Sequence, residues 1–412
     1  MSQAVIISAV RTPVGNFGGS LRTVPAGELG ALVLGEVAKR AKLDPASVDG
    51  VIMGQNYQSG EYVNIARMSL LKAGWPVEIP ALTLDRRCCS GLDAVGLAAM
   101  AIKTDDAEVM VAGGVESMST AEFYLNGEVR WGIGGKASMP RGHGDLSIWG
   151  LPFYDRIQRS RVMSQPEERF GILPSMMSWA ETAAKMYNIS REEVDRWALL
   201  SHQRAVAAIS SGKFEEEIVP VQVPQRRGGL ILFDKDEHPR PDTSLEALSK
   251  LRPVLGGVCT AGNSSGESDG AAVCVVASEE KAKEMGIELG YIKAYVQSGA
   301  DPCYAWQAAP VAVNKALKKA GLTIGDIDLI ELHEAFAAQT LANLRELGIT
   351  EKDYDKVNVN GSCVALGHPL GCTGARILTT LLYEMKRRSA KYGLIAICGG
   401  GGMGVSAILE RR

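Results

Sequence analysis

At 412 residues the chain is too long for one small core, so two or three domain-sized units are expected. Its 46% hydrophobic and 22% charged residues are ordinary for a soluble globular protein, and a formal charge of -3 gives no global reason to expect nucleic acid or an anionic membrane. No apolar run reaches the roughly 18 residues that span a bilayer, the opening "MSQAVIISAVRTP" lacks a basic run followed by a long apolar stretch, and eight scattered cysteines argue for a reducing compartment such as the cytoplasm.

Along the chain, β-branched runs such as "AVIISAV", "GVIMG" and "EVMVAGG" alternate with Ala-rich helical patterns such as "AGELGALVLGEVAKRAKL". That alternation predicts an α/β fold with buried strands. From about Thr120 to Pro253 it breaks down into a segment richer in Trp, Arg and Pro, with a turn expected at Arg227-Gly228-Gly229. Ser190 there reads as the N-cap of a helix, with Glu193 as its capping-box partner. Strand–helix alternation resumes after Pro253. Near the end, "CTGARILTTLLYEMKRRSAKYGLIAICGG" repeats the order loop, helix, strand, Gly-Gly already met in "CSGLDAVGLAAMAIKTDDAEVMVAGG". Cys89-Ser90-Gly91 then matches Cys372-Thr373-Gly374. Two similar α/β halves with an insertion after the first are inferred; a chance likeness of two strand–helix units is the alternative.

Four stretches carry candidate chemistry. In "RRCCSGLDAVGLAAMAI", Leu92, Val95, Ala99 and Ile102 recur at helical spacing, which puts Cys88 and Cys89 at the N-terminus of a buried helix. The helix dipole there is expected to lower a thiol pKa, although buried cysteines are also commonly inert. In "DLIELHEAFAAQ" a strand ends at Leu332 and His333 is expected to open a helix, as a ligand-binding group or as a simple cap. In "NVNGSCVALGHPLGCTGAR", His368 sits between Gly367 and Pro369 on a tightly turned loop. Cys363, His368 and Cys372 match none of the usual zinc spacings, so no metal is assigned. In "LIAICGGGGMGVSAILERR", Gly399, Gly401 and Gly404 formally satisfy a dinucleotide fingerprint, but too little chain follows for its helix, second strand and acidic residue. The glycines instead allow close backbone approach of a ligand and N–H groups for an oxyanion. Two cysteines and two histidines at strand ends and helix starts suit a thiolate nucleophile, a histidine to activate it and a second thiol to handle a proton.

Taken together, Cys88-Cys89-Ser90-Gly91-Leu92, His333-Glu334-Ala335-Phe336, Gly367-His368-Pro369 and Cys398-Gly399-Gly400 resemble the four signature blocks of the thiolases, the acetyl-CoA C-acyltransferases. The resemblance runs through essentially the whole chain. It implies a five-layered αβαβα fold built from two βαβαβαββ halves: residues 1–119 with 254–277 as the first half, a loop domain at 120–253 for coenzyme A and oligomer contacts, and 278–412 as the second half. It implies Cys88 as nucleophile, His368 as the base that takes its proton and Cys398 as acid/base on the second substrate. One oxyanion hole would be formed by the N–H groups of Cys88 and Gly400, the other by His333 with His368. Arg240, Leu251, Ser265, Met176 and Phe336 are the implied substrate and coenzyme A contacts. Coenzyme A thioesters would be substrates rather than cofactors, and a homodimer or homotetramer is implied. Two features depart from the common pattern. His333 stands where many thiolases carry Asn, as in relatives of the trifunctional-enzyme thiolase, and Ser175-Met176 replaces the His-Met pair of short-chain biosynthetic members. Ketosynthase-like condensing enzymes share the fold but lack the C-terminal Cys-x-Gly that Cys398 supplies. A non-catalytic acyl-CoA-binding subunit is the remaining alternative, against which all four blocks stand intact.

Overall fold

The expected alternation is present in the computed structural model, which describes residues 2–127, 153–173, 175–225 and 228–412. Nine principal strands are β1 (Ala4–Arg11), β2 (Gly50–Gly54), β3 (Ala81–Leu84), β4 (Val109–Ser117), β5 (Ser268–Ser278), β6 (Gly290–Gly299), β7 (Leu329–Leu332), β8 (Tyr392–Gly399) and β9 (Met403–Glu410). The main helices are α1 (Ala26–Ala41), α2 (Ser90–Lys103), α3 (Met177–Met186), α4 (Arg191–Ser210), α5 (Ala308–Ala320), α6 (Ala337–Glu346) and α7 (Leu370–Arg388).

The strands lie in the order β7-β8-β9-β6-β1-β5-β4-β2-β3. In the first half β1, β5 and β4 are successively antiparallel, and β4, β2 and β3 are parallel. In the second half β6, β9 and β8 are antiparallel, and β8 and β7 are parallel. The halves therefore repeat one topology. They meet through a short antiparallel pairing at Val5–Tyr291 and Ile6–Gly290.

Side-chain alternation along the strands builds five layers. Ala271, Val273 and Val275 of β5 pack with Leu29 and Val33 of α1 on one outer face. Between them, Cys274 and Val276 turn inward to α2 and α7, as do Ile395 and Ile397 of β8. Leu394, Ala396 and Cys398 of β8 face the opposite outer layer, with α5 and α6. The two helices of the sequence repeat are thus central and packed on one another. Glycine makes this possible at two positions. A Cβ at Gly91 would come within 2.8 Å of the Gly371 carbonyl, and one at Gly374 would collide with the Leu92 amide. Backbone cannot yield as a flexible side chain can, so Gly374→Ala is expected to destabilise by about 2–3 kcal/mol. Thermal denaturation checks this; an unchanged melting temperature would contradict the close helix contact.

The segment between the halves carries α3, α4 and a hairpin of Val221–Pro224 with Leu230–Phe233. The hairpin turn includes Gly228 and Gly229 at positive φ; its expected partner Arg227 lies outside the described residues. The Ser190–Glu193 capping box opens α4 as the sequence indicates. Arg11 of β1 ties this segment to the sheet. Its guanidinium, fully buried, pairs with Glu217 at 2.6 Å and Asp236 at 2.7 Å.

Candidate active site

Two helix N-termini, from equivalent places in the halves, meet at one cavity. Before α2 the chain turns tightly: Ser90 Oγ donates to the Arg87 carbonyl at 2.7 Å and accepts the Arg86 N–H at 2.7 Å. Cys89 is the N-cap, and Cys88 stands just outside the helix, on the cavity wall. Cys89 is fully buried, with Sγ 3.8 Å from the Ile397 carbonyl. The adjacent cysteines therefore face different surroundings.

Before α7, Gly367 has φ 89, a left-handed conformation in which a Cβ would also clash with His238 and Ser268. That turn fixes His368, whose N–H donates to Ser268 Oγ at 2.9 Å. His368 Nε2 lies 3.1 Å from Cys88 Sγ, and Nδ1 lies 2.7 Å from Thr373 Oγ1. Thr373 in turn donates its proton to the Pro369 carbonyl at 2.9 Å. With that proton committed, the Thr373 oxygen accepts Nδ1–H, and the Nε2 lone pair is left facing the thiol.

His333 follows β7 but does not open a helix, contrary to the sequence expectation; α6 begins at Ala337. The intervening residues are held out of a helix because Glu334 is buried and accepts hydrogen bonds from Trp197 Nε1, Ser201 Oγ, Asn358 Nδ2 and the Val364 N–H. Ser265 N–H also donates to the Ala335 carbonyl. The His333 ring is fully buried and 4.4 Å from the His368 ring; among the described residues no well-formed hydrogen bond engages its nitrogens, and the Cys398 backbone is the one backbone group that bears on it. Donor atoms of Cys88, His333 and His368 all lie within 4.8 Å of one another, whereas Cys363 and Cys372 do not join such a set among the described residues. Cys398 is the penultimate residue of β8 and is buried. The glycines after it form the β8–β9 hairpin, with Gly401 and Gly402 at positive φ, where a dinucleotide site would need a helix.

Electrostatics correct one expectation. The helix N-terminus was expected to lower the thiol pKa; burial instead pushes Cys88 up to about 12, outweighing the opposing Arg87 charge and the Gly400 and Cys88 N–H groups that bear on it. Burial also pushes His368 well below the ordinary histidine range, helped by the neighbouring His333 and by Arg376. Burial, then Arg376, lowers His333 to about 3. The resting pair is thus a neutral thiol and a neutral imidazole. Iodoacetamide alkylation of Cys88 is therefore expected to rise continuously with pH beyond pH 9. A plateau already reached near pH 6 would mean a preformed thiolate and contradict this.

Of the residues singled out from sequence, Cys88, His368, Gly400, Met176, Ser265 and Phe336 line the cavity. His333 and Cys398 are buried outside that lining, while Arg240 and Leu251 are exposed away from it. Thr373 and Arg87 were not singled out. The repeat held a signal for the first, since Thr373 corresponds to Ser90 and both hydroxyls brace the turn before a central helix.

A five-layered α/β protein with a cysteine and a histidine paired across its two central helix ends belongs to a narrow class, and comparison with known proteins specifies it. Residues 4–280 match the family model for the thiolase N-terminal domain, and residues 287–411 match that for the thiolase C-terminal domain. Acetyl-CoA acetyltransferase of Syntrophomonas wolfei is 46% identical, covering 99% of both chains, and that of Escherichia coli is 44% identical over 100% of both. The crystal structure of Bacillus anthracis acetyl-CoA acetyltransferase superposes with a TM-score of 0.90 at 42% identity, covering 100% of this chain and 99% of its own. Human mitochondrial 3-ketoacyl-CoA thiolase gives 0.89 at 37%, with the same coverage. The chain belongs to the thiolase family.

Proposed function

We propose that the protein is an acyl-CoA C-acyltransferase that cleaves a 3-oxoacyl-CoA with coenzyme A, or runs the reverse Claisen condensation, through a Cys88 acyl-enzyme. The observation that carries this reading is the 3.1 Å approach of His368 Nε2, lone pair forward, to the Cys88 thiol. In the cleaving direction His368 takes the Cys88 proton as Sγ attacks the 3-keto carbon. The C2–C3 bond then breaks, and the electron pair leaves with C2 as the enolate of acetyl-CoA. Cys398 protonates that enolate. Burial holds Cys398 well above the ordinary thiol range, so it carries a proton to give. Coenzyme A then takes the acyl group from Cys88, and the proton balance is restored.

Charge develops on oxygen twice. The Cys88 and Gly400 N–H groups, which already bear on the Cys88 sulfur, suit the tetrahedral oxyanion of the acyl-enzyme steps. For the enolate oxygen we assign His333 with His368: the buried His333 ring carries one N–H, and among the described residues no well-formed hydrogen bond engages it, the Cys398 backbone alone bearing on the ring. Such preorganised donors supply roughly 3–4 kcal/mol each of barrier lowering.

We assign the CoA contacts to Met176, Ser265 and Phe336 at the cavity, with Arg240 and Leu251 farther out on the 120–253 segment, read as a loop domain between halves 1–119 with 254–277 and 278–412. A cytoplasmic homo-oligomer is favoured by eight unpaired cysteines and by the edge strand β3, whose Leu82 is half exposed. Among the described residues no helix is long and apolar enough to cross a membrane. The test is loss of the magnesium–acetoacetyl-CoA absorbance on adding coenzyme A. Activity supports the proposal; no turnover with acetoacetyl-CoA or any longer 3-oxoacyl-CoA would overturn it.

A further inference from the structure

The two arginines that precede the cysteines are as sharply divided as the cysteines themselves. Arg86 has a structural partner: its Nη1 pairs at 2.5 Å with Asp93, which is buried one turn into α2. Arg87 has none. Its backbone holds φ 54, a left-handed conformation uncommon for a non-glycine residue and found disproportionately at functional sites. Its side chain lines the cavity beside Cys88. There Nη2 donates to the Ser160 carbonyl at 2.9 Å, while Nη1 reaches Asn56 Oδ1 only at 3.5 Å. Among the described residues no carboxylate lies within 4.0 Å of this guanidinium.

A second guanidinium, Arg161, lines the same cavity, but it is paired at 2.6 Å with Glu267, which also lines it. Arg87 and Arg161 both lie near enough to Tyr57 to act on its hydroxyl. Tyr57 and Cys88 are neutral because burial raises them, and His368 is neutral because burial lowers it. Among the described lining residues two guanidiniums against one carboxylate leave one positive charge, and it belongs to Arg87; Asp85 lies outside the lining, where it accepts the Arg87 backbone N–H and Asn56 Nδ2. The remaining walls are mostly apolar, with Met118, Met176, Trp179 and Phe336 among them beside Ser175 and Ser265. A cation kept partly desolvated beside apolar walls, with donors to spare, is matched by an anionic, fork-shaped acceptor. The phosphates of coenzyme A do not provide it, because the whole pantetheine arm separates them from the thioester that must reach Cys88.

We propose that the acyl chain taken by this thiolase ends in a carboxylate, and that Arg87 receives that carboxylate. The inference rests on the thiolase reading above and names its substrate class. In the cleavage the distal carboxylate stays unchanged: acetyl-CoA leaves, the ω-carboxyacyl group passes to Cys88, and coenzyme A carries it away as a shortened dicarboxylic monothioester.

The test compares two substrates of equal carbon count, 3-oxoadipyl-CoA and 3-oxohexanoyl-CoA, on the full chain and on Arg87→Met and Arg87→Lys, with melting temperatures measured alongside. The wild type is expected to favour 3-oxoadipyl-CoA in kcat/KM by about 10-fold or more, the scale of one charged hydrogen-bonded contact. Arg87→Met should erase that preference, while Arg87→Lys, which keeps the charge but not the fork, should retain part of it. A wild-type preference for the neutral chain would overturn the inference. So would an equal loss on both substrates in Arg87→Met, since Arg87 would then be acting on Cys88 or on the fold. Activity on acetoacetyl-CoA alone overturns the inference and leaves the thiolase reading standing; no activity on any 3-oxoacyl-CoA overturns both.

Discussion

Cys88→Ala is expected to eliminate the acyl-enzyme and to reduce kcat by about 10⁴-fold or more, the scale seen when a nucleophile is removed from a catalytic unit. Cys89→Ala should keep activity within about threefold and cost only about 1 kcal/mol of stability, from a small cavity. The contrast follows from where each sulfur sits. Cys88 Sγ has an imidazole lone pair at 3.1 Å and opens onto the cavity. Cys89 Sγ has only the Ile397 carbonyl at 3.8 Å, in the core shared by α2 and β8. Neither thiol is acidic, since burial raises both. Reactivity is therefore set by the presence of a base, not by the helix end that the two cysteines share. Turnover retained in Cys88→Ala and lost in Cys89→Ala would reverse the assignment. Circular dichroism distinguishes lost chemistry from lost fold.

Cys398→Ala is expected to divide the reaction. Acetyl transfer from acetyl-CoA to Cys88 needs only the nucleophile, His368 and the N–H groups, so it should continue at a rate within about 10-fold of wild type. Carbon–carbon bond cleavage and condensation need a proton delivered to or taken from C2, and both should fall by about 10²–10⁴-fold, the range of one general acid–base contribution. The side chain is small and buried, so its removal is expected to leave the fold in place. A variant that exchanges acetyl groups yet neither cleaves nor condenses is the expected phenotype. Unimpaired condensation would remove Cys398 from the mechanism and pass its proton to another group near C2.

Much of this architecture can be read from the sequence because its physical causes are local. Central helices that touch one another need glycine at the contact, so Cys89-Ser90-Gly91 and Cys372-Thr373-Gly374 announce both the repeat and the packing of α2 on α7. The tight turn around His368 is equally visible in Gly367 and Pro369. Features that depend on distant residues are not. The protonation of Cys88 is decided by desolvation, which needs the whole surrounding shell; the helix dipole, the one contribution visible locally, has the opposite sign. His333 was expected to open a helix because nothing nearby reveals that Glu334 is bonded to Trp197 and Ser201, 137 and 133 residues away. The anchoring of Arg11 by Glu217 and Asp236 is hidden in the same way, across 206 and 225 residues. The Arg86-Arg87 pair is divided by a partner only seven residues on, Asp93, but which arginine it takes depends on the turn into α2 that leaves the other facing the cavity.

The acyl-enzyme itself gives the most direct test. The protein is incubated with acetyl-CoA, quenched in acid and digested, and the peptide containing Arg86 to Ser90 is fragmented in a mass spectrometer. The mechanism predicts one acetyl group on Cys88, none on Cys89, and its complete discharge when free coenzyme A is added before the quench. Acetyl label on Cys89, or an acetyl group on Cys88 that coenzyme A does not remove, would contradict it.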